Sequence, residues 1–286
     1  MSDMILIIAV LTMGGLGLFF AIGLAIASKK LKVKEDPRVK KVMEILPMTN
    51  CGACGVPGCS TFAVGLVKGD IAINACVAGG QEVADLLAKA LGIDSATSVR
   101  MLAVVLCRGG DKETRKFATY RGDKTCASAD LTGGEKSCSY SCLGLSDCVV
   151  SCEFGAMEMN DNGLPVVFYD KCIGCGACAK ACPRDIIEMH SESMKVFVYC
   201  KNKDKGPIAK KHCDVACIGC GLCVKDCNVE GGIVMKNNLA VINYESCPQD
   251  DSTTKRCPTK CILFDEEPKQ IKEVFSSKAM KVASGS

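Results

Sequence analysis

The sequence predicts an α+β chain of small domains strung behind one N-terminal transmembrane helix. Three observations carry that prediction. Residues 4–27 contain no charge, most of the 23 cysteines fall in regular spacings, and a pattern of six cysteines recurs 75 residues further on.

The run from Met4 to Ala27 has 24 uncharged residues, about 36 Å as a helix and enough to span a bilayer with some tilt. Ser2 and Asp3 stand where a signal peptide would carry basic residues. Lys29, Lys30, Lys32, Lys34, Arg38, Lys40 and Lys41 follow the run, which by the positive-inside rule puts the bulk of the chain on the cytoplasmic side. That side is reducing, as free thiolates require. Residues 1–28 are thus the anchor and 29–48 a basic juxtamembrane segment. Within it Asp36-Pro37 reads as an N-cap and first helical position, and Val39, Val42, Met43 and Leu46 supply one apolar face.

Residues 49–92 form the next unit. Cys51, Cys54, Cys59 and Cys76 make a C-x2-C-x4-C-x16-C set, four ligands in one module. A helix over 60–68 closed by Gly69 brings Cys76 back to the loop, and a second helix over 80–91 ends at Gly92. Four sulfurs also suit a zinc knuckle; the cysteine-rich setting favours an iron–sulfur cluster. Residues 93–137 read as a connecting region with a candidate buried strand over 102–106. Cys107 and Cys126 lie there without a second pair beside them, and read as structural or unassigned thiols.

Cys172, Cys175, Cys178 and Cys182, with Pro183 after them, form a C-x2-C-x2-C-x3-C-P run. This is the spacing with which bacterial-type two-cluster ferredoxins ligate [4Fe–4S] clusters, the fourth cysteine reaching across to the other cluster. Zinc sites prefer separated pairs, and disulfide frameworks belong to small secreted domains. Upstream, Cys138, Cys142, Cys148 and Cys152 complete the arrangement. The crossover rule assigns Cys138, Cys142, Cys148 and Cys182 to one cluster, and Cys152, Cys172, Cys175 and Cys178 to the other.

The same pattern returns as Cys213, Cys217, Cys223, Cys227, Cys247 and Cys257, and residues 162–169 are matched by 237–244. Two tandem ferredoxin domains follow, 138–199 and 200–266, with a polar tail over 267–286. The second departs from the first: Asp250 and Thr253 stand at the positions of Cys175 and Cys178, and Cys220 is gained. Cys217, Cys220, Cys223 and Cys257 therefore give a fourth cluster. A fifth is left open, needing Cys227 and Cys247 plus two of Asp250, Cys261, Cys213 or Cys200, with a carboxylate being a hard ligand for such a site.

Composition narrows the function. A net charge of +3, without basic clusters interleaved with aromatics, gives no nucleic-acid signal. The two histidines are unpaired, which argues against Rieske or haem chemistry. No glycine-rich nucleotide fingerprint, P-loop or nucleophile–base arrangement is present. The expected cofactors are four [4Fe–4S] clusters and an open fifth, bound through the cysteines above, with no flavin, nucleotide or catalytic residue on this chain.

The phrases NCGACGVPGC, CSYSCLGLSDC, CIGCGACAKACP, ACIGCGLC and CPTKCI, in this order behind a membrane helix, resemble the B subunit of Rnf complexes. The match is to the clostridial type with extra ferredoxin domains, membrane-bound ion-translocating ferredoxin:NAD+ oxidoreductases. The resemblance implies a chain at the bacterial inner membrane that accepts electrons from reduced ferredoxin. It would pass them to flavin-bearing and membrane subunits that reduce NAD+ and move Na+ or H+, with Asp250 and Thr253 departing from the family's ligand pattern. The competing reading is a membrane-tethered polyferredoxin serving another reductase without ion pumping; a zinc-bearing scaffold is the third.

Overall fold

A computed structural model describes residues 2–30, 36–94, 97 and 99–265. The polar tail expected over 267–286 and part of the basic segment at 31–35 lie outside the described residues.

Helix α1, Ser2–Lys30, has 29 residues. Over residues 11–26 its described side chains are uncharged and exposed, Phe19 at 71% and Leu24 at 70% among them. That stretch is shorter than a full span, and among the described residues no helix is long and apolar enough to cross a membrane. The expectation of an N-terminal transmembrane helix thus rests on the uncharged run of the sequence alone.

Three helices build the next unit. In α2, Pro37–Ile45, the Arg38 N–H donates to Asp36 Oδ1 at 2.9 Å, so the expected cap forms. Helix α3, Cys59–Lys68, and helix α4, Gly80–Leu91, end on Gly69 and Gly92 in the left-handed region, at φ of 85° and 68°. Val42, Leu46, Phe62, Leu66, Ile73 and Leu87 pack between them as the core. The apolar spacing read from the sequence is the face that is buried.

Two antiparallel units follow. In the first, β1 (Met101–Val105) precedes the short helices α5 (Cys126–Asp130) and α6 (Asp147–Val150). Strands β2 (Met157–Met159) and β3 (Pro165–Val167), helix α7 (Ala177–Ala181) and β4 (Ile187–Ser191) complete it. Strand β1 pairs with β4, and β2 with β3. The second unit repeats the plan: β5 (Val196–Val198), α8 (Gly206–His212), α9 (Leu222–Asp226), β6 (Ile233–Lys236), β7 (Leu239–Ile242) and β8 (Ile262–Phe264), with β5 on β8 and β6 on β7. The β6–β7 hairpin closes through Asn237 and Asn238, at φ of 50° and 60°. Asparagine tolerates the paired left-handed conformations that a two-residue hairpin loop demands.

The boundary of the first ferredoxin copy is thereby corrected. Residues 93–137 are not a connector, because β1 is its outer strand, in register with β4 from Met101↔Ser191 to Val105↔Ile187. Residues 106–137 hold an insertion within that copy, 32 residues where the second copy has 14 over 199–212. Strand side chains alternate between faces. Ala103 and Val105 therefore enter the core of the first copy, while Val104 and Leu106 pack on Phe197 and Tyr199 of the second. Burying such side chains stabilises by roughly 1.5–3 kcal/mol each, so the two copies are joined by a shared apolar layer.

Candidate iron–sulfur sites

In the helical module the ligand loop is folded by its own polar side chain. Asn50 Oδ1 accepts from the Cys59 N–H at 2.9 Å, and Gly58, at φ 107°, leaves room for that contact. Cys76 returns from the far side. Burial pushes its thiol above the ordinary value, a backbone hydrogen bond at Gly79 opposes this, and Cys54, Cys59 and Cys51 add like charge. The four expected cysteines thus come together.

The first ferredoxin copy holds two cavities. One is lined by Cys152, Cys172, Cys175 and Cys178, the set read from the crossover spacing. The Ala156 N–H donates to Cys152 Sγ at 3.3 Å, the kind of contact that favours thiolate. Gly174, at φ 74°, lies so close to β1 that a Cβ there would meet the Met101 carbonyl oxygen at 2.4 Å. Cys178 is pushed up to about 11, by burial first and then by its neighbouring thiols.

The second cavity departs from the crossover assignment at one cysteine. Its cysteines are Cys142, Cys148, Cys182 and Cys126; Cys138 lines a different cavity. The repeat supplies the reason. The second copy has Cys220 where the first has Leu145, so the first lacks one loop ligand. Helix α5 of the insertion fills the gap: Cys126 lies against the Leu145 and Asp147 backbone, and its like-charge neighbours are Asp147 and Cys182. Arg184 anchors the insertion there, donating to Asp130 Oδ1 at 2.7 Å, Gly133 O at 2.9 Å and Ser141 O at 3.0 Å. The Ala127 N–H donates to Asp147 Oδ2 at 3.1 Å. Burial pushes Cys148 up to about 12, with Cys126 and Cys182 adding to it.

In the second copy Cys223 is surrounded by Cys217, Cys257 and Cys220, as expected. Cys261 is the repeat counterpart of Ile186, is equally buried, and lies 3.9 Å from Cys257. It fills an apolar core position while its S–H acts on Cys217 and Cys257, holding Cys257 down to about 5 and Cys217 down to about 6. The fifth set left open by the sequence does not assemble. Cys227 and Cys247 face each other, yet Asp250 is occupied by the Ser252 N–H at 2.9 Å, and Cys261, Cys213 and Cys200 are engaged elsewhere.

Among the described residues no three His, Cys, Asp or Glu side chains close on one point as a single metal ion requires. Soft thiolates, donated backbone N–H groups and glycine-shaped loops suit a multi-iron cluster instead.

An Fe-S cluster family model matches residues 46–78, and a 4Fe-4S binding domain model matches residues 165–188. The B subunit of the Na(+)-translocating ferredoxin:NAD(+) oxidoreductase complex of Acetobacterium woodii is 42% identical over 256 residues, 89% of this chain and 77% of the relative. The chain belongs to this B-subunit family. Other B-subunit relatives agree along nearly their whole length. That of the proton-translocating ferredoxin:NAD(+) oxidoreductase complex of Clostridium ljungdahlii is 40% identical, covering 92% of this chain and 93% of its own. That of the ion-translocating oxidoreductase complex of Methanosarcina acetivorans is 38% identical, covering 90% and 98%. Within this B-subunit chain, the two ranges matched to family models contain the Cys51–Cys76 set and the Cys172–Cys182 run.

Proposed function

We propose that this member of the B-subunit family is the iron–sulfur electron-transfer component of a membrane-bound, ion-translocating ferredoxin:NAD+ oxidoreductase. It takes electrons from reduced ferredoxin for flavin-bearing and membrane subunits that reduce NAD+ while moving Na+ or H+. The observation that carries this reading is the gathering of cysteines into four-thiol cavities in a chain of this family.

Four sets hold [4Fe–4S] clusters: Cys51, Cys54, Cys59 and Cys76; Cys152, Cys172, Cys175 and Cys178; Cys126, Cys142, Cys148 and Cys182; and Cys217, Cys220, Cys223 and Cys257. Such clusters supply one-electron chemistry at potentials from roughly −700 to +450 mV. The chain's own part is to fix the thiolates, to donate N–H groups to their sulfurs, and to keep water away. Cys142, Cys148 and Cys178 are each 7% exposed and Cys172 is 8% exposed. The reduction of NAD+ itself belongs to partner subunits.

We place α1 in the bilayer with residues 36–265 on the cytoplasmic side. Supporting this are the uncharged run of residues 4–27, the exposed apolar side chains of residues 11–26, and the lysines at 29 and 30.

The test is Cys54→Ala in the complete complex. Membrane attachment is retained, the module's iron is lost, and ferredoxin-dependent NAD+ reduction falls at least about tenfold, as loss of a ligand to an obligatory cluster implies. Unchanged NAD+ reduction would sink the reading.

A further inference from the structure

The two ferredoxin copies share a third four-cysteine cavity that the proposed function leaves unused. It is lined by Cys107 and Cys138 of the first copy and Cys200 and Cys213 of the second. The two pairs occupy equivalent places. Cys107 stands two residues beyond the end of β1 and Cys200 two beyond the end of β5, while Cys138 and Cys213 are 75 residues apart, the period of the repeat.

The surroundings repeat as well. The Cys142 N–H donates to Cys107 Sγ at 3.4 Å, and the Cys217 N–H, its repeat counterpart, donates to Cys200 Sγ at 3.3 Å. Backbone N–H groups at Tyr140 and Val215, also counterparts, face Cys138 and Cys213. Asn202, 1% exposed, serves both copies: its backbone N–H donates to Cys200 Sγ at 3.4 Å and its side-chain amide to Cys138 Sγ at 3.3 Å. Four sulfurs therefore receive donors that a merely apolar buried thiol does not need.

The wall is shaped on the remaining side. A Cβ on Gly109 would meet Thr114 Oγ1 at 2.5 Å and Cys213 Sγ at 3.0 Å, and Thr114 is 4% exposed. Lys136, also 4% exposed, donates its ammonium to the Gly109 carbonyl at 3.3 Å and adds a buried positive charge beside Cys107.

We propose that Cys107, Cys138, Cys200 and Cys213 hold a further [4Fe–4S] cluster shared between the two ferredoxin copies. The inference rests on the iron–sulfur reading of the family sites. A cubane is favoured over zinc on geometry: zinc draws its sulfurs to about 2.3 Å from one point, and no three of these side chains close that far. With this set, only Cys227, Cys247 and Cys261 remain as thiols.

The experiment compares full-length protein, purified anaerobically with its clusters, with the Cys107→Ser/Cys200→Ser variant. The wild type is expected to hold about twenty irons and as many acid-labile sulfides, the variant about sixteen, with loss of one reduced-state EPR signal and retention of the others. Native mass spectrometry of the unsubstituted chain checks the count without a variant: about five cubanes support the shared cluster and about four overturn it. Unchanged iron in the variant, or one zinc lost in place of iron, also overturns it while leaving the family sites standing. Near-zero iron in the wild type overturns both readings.

Discussion

The side-chain amide of Asn202 donates to Cys138 Sγ at 3.3 Å, reaching from the second ferredoxin copy to a thiol of the first. A hydrogen bond to a cluster sulfur favours the reduced state, which carries more charge on sulfur. Asn202→Ala is therefore expected to keep the iron content and to move one reduction wave to lower potential. An EPR-monitored redox titration reads this, and an unmoved set of waves would count against the contact.

Cys126→Ser should remove one cluster, about four irons per chain. The repeat offers a rescue. Leu145 occupies the position of Cys220, so Leu145→Cys in the Cys126→Ser background should restore iron and sulfide towards the wild-type level. Restoration would show that Cys126 substitutes for a loop ligand; equal loss in the single and double variants would count against it.

These two residues mark where sequence reasoning stopped. The sets around Cys51 and Cys172 are legible because their ligands are nearly contiguous and their glycines and prolines fix the loops. The helix ends at Gly69 and Gly92 are legible for the same local reason. Cys126 is not, because its partner loop lies beyond an insertion whose docking depends on Arg184, a tertiary contact. The missing cysteine at Leu145 was the available signal. Cys107 and Cys200 were hidden differently: the insertion sets them 93 residues apart, off the 75-residue period, although the strands before them are equivalent.

Gly174→Ala would place a methyl group 2.4 Å from the Met101 carbonyl and would force a left-handed backbone on alanine. The strain is about 1–2 kcal/mol for the backbone alone. The loop must then shift away from β1, and the expected result is loss of about four irons together with a lower unfolding midpoint, read by metal analysis and an anaerobic melt. Wild-type iron and midpoint would show that the loop has slack.

Glu188 of β4 binds Lys201 of the second copy and lies 3.1 Å from His190 Nε2. The hydrogen bond from His190, and next the Lys201 contact, hold its carboxyl down to about 2. A depressed carboxylate contributes stability that is present above its unfolded value, about 4.3, and is lost as pH falls through the folded one. The side chain is 41% exposed, so solvent screening limits the contribution to about 1 kcal/mol. Glu188→Gln is expected to lower the unfolding midpoint by a few degrees at pH 7, roughly as 1 kcal/mol does in a chain this size. The gap from wild type should close as the pH falls from about 4.3 towards 2. A gap unchanged across that range would refute the linkage.

The exchange of ligands between the copies also bears on damage. In the second copy Cys220 is exposed, whereas Cys126, its stand-in in the first, is 8% exposed. Oxidation of sulfur ligands follows access to solvent. Oxygen or peroxide will therefore strip the second copy from its Cys220 corner first, while the insertion shields the corresponding corner of the first. The 106–137 segment is in this sense a built-in sheath, and a chain recovering from a brief exposure to air would need to replace iron chiefly in its C-terminal half.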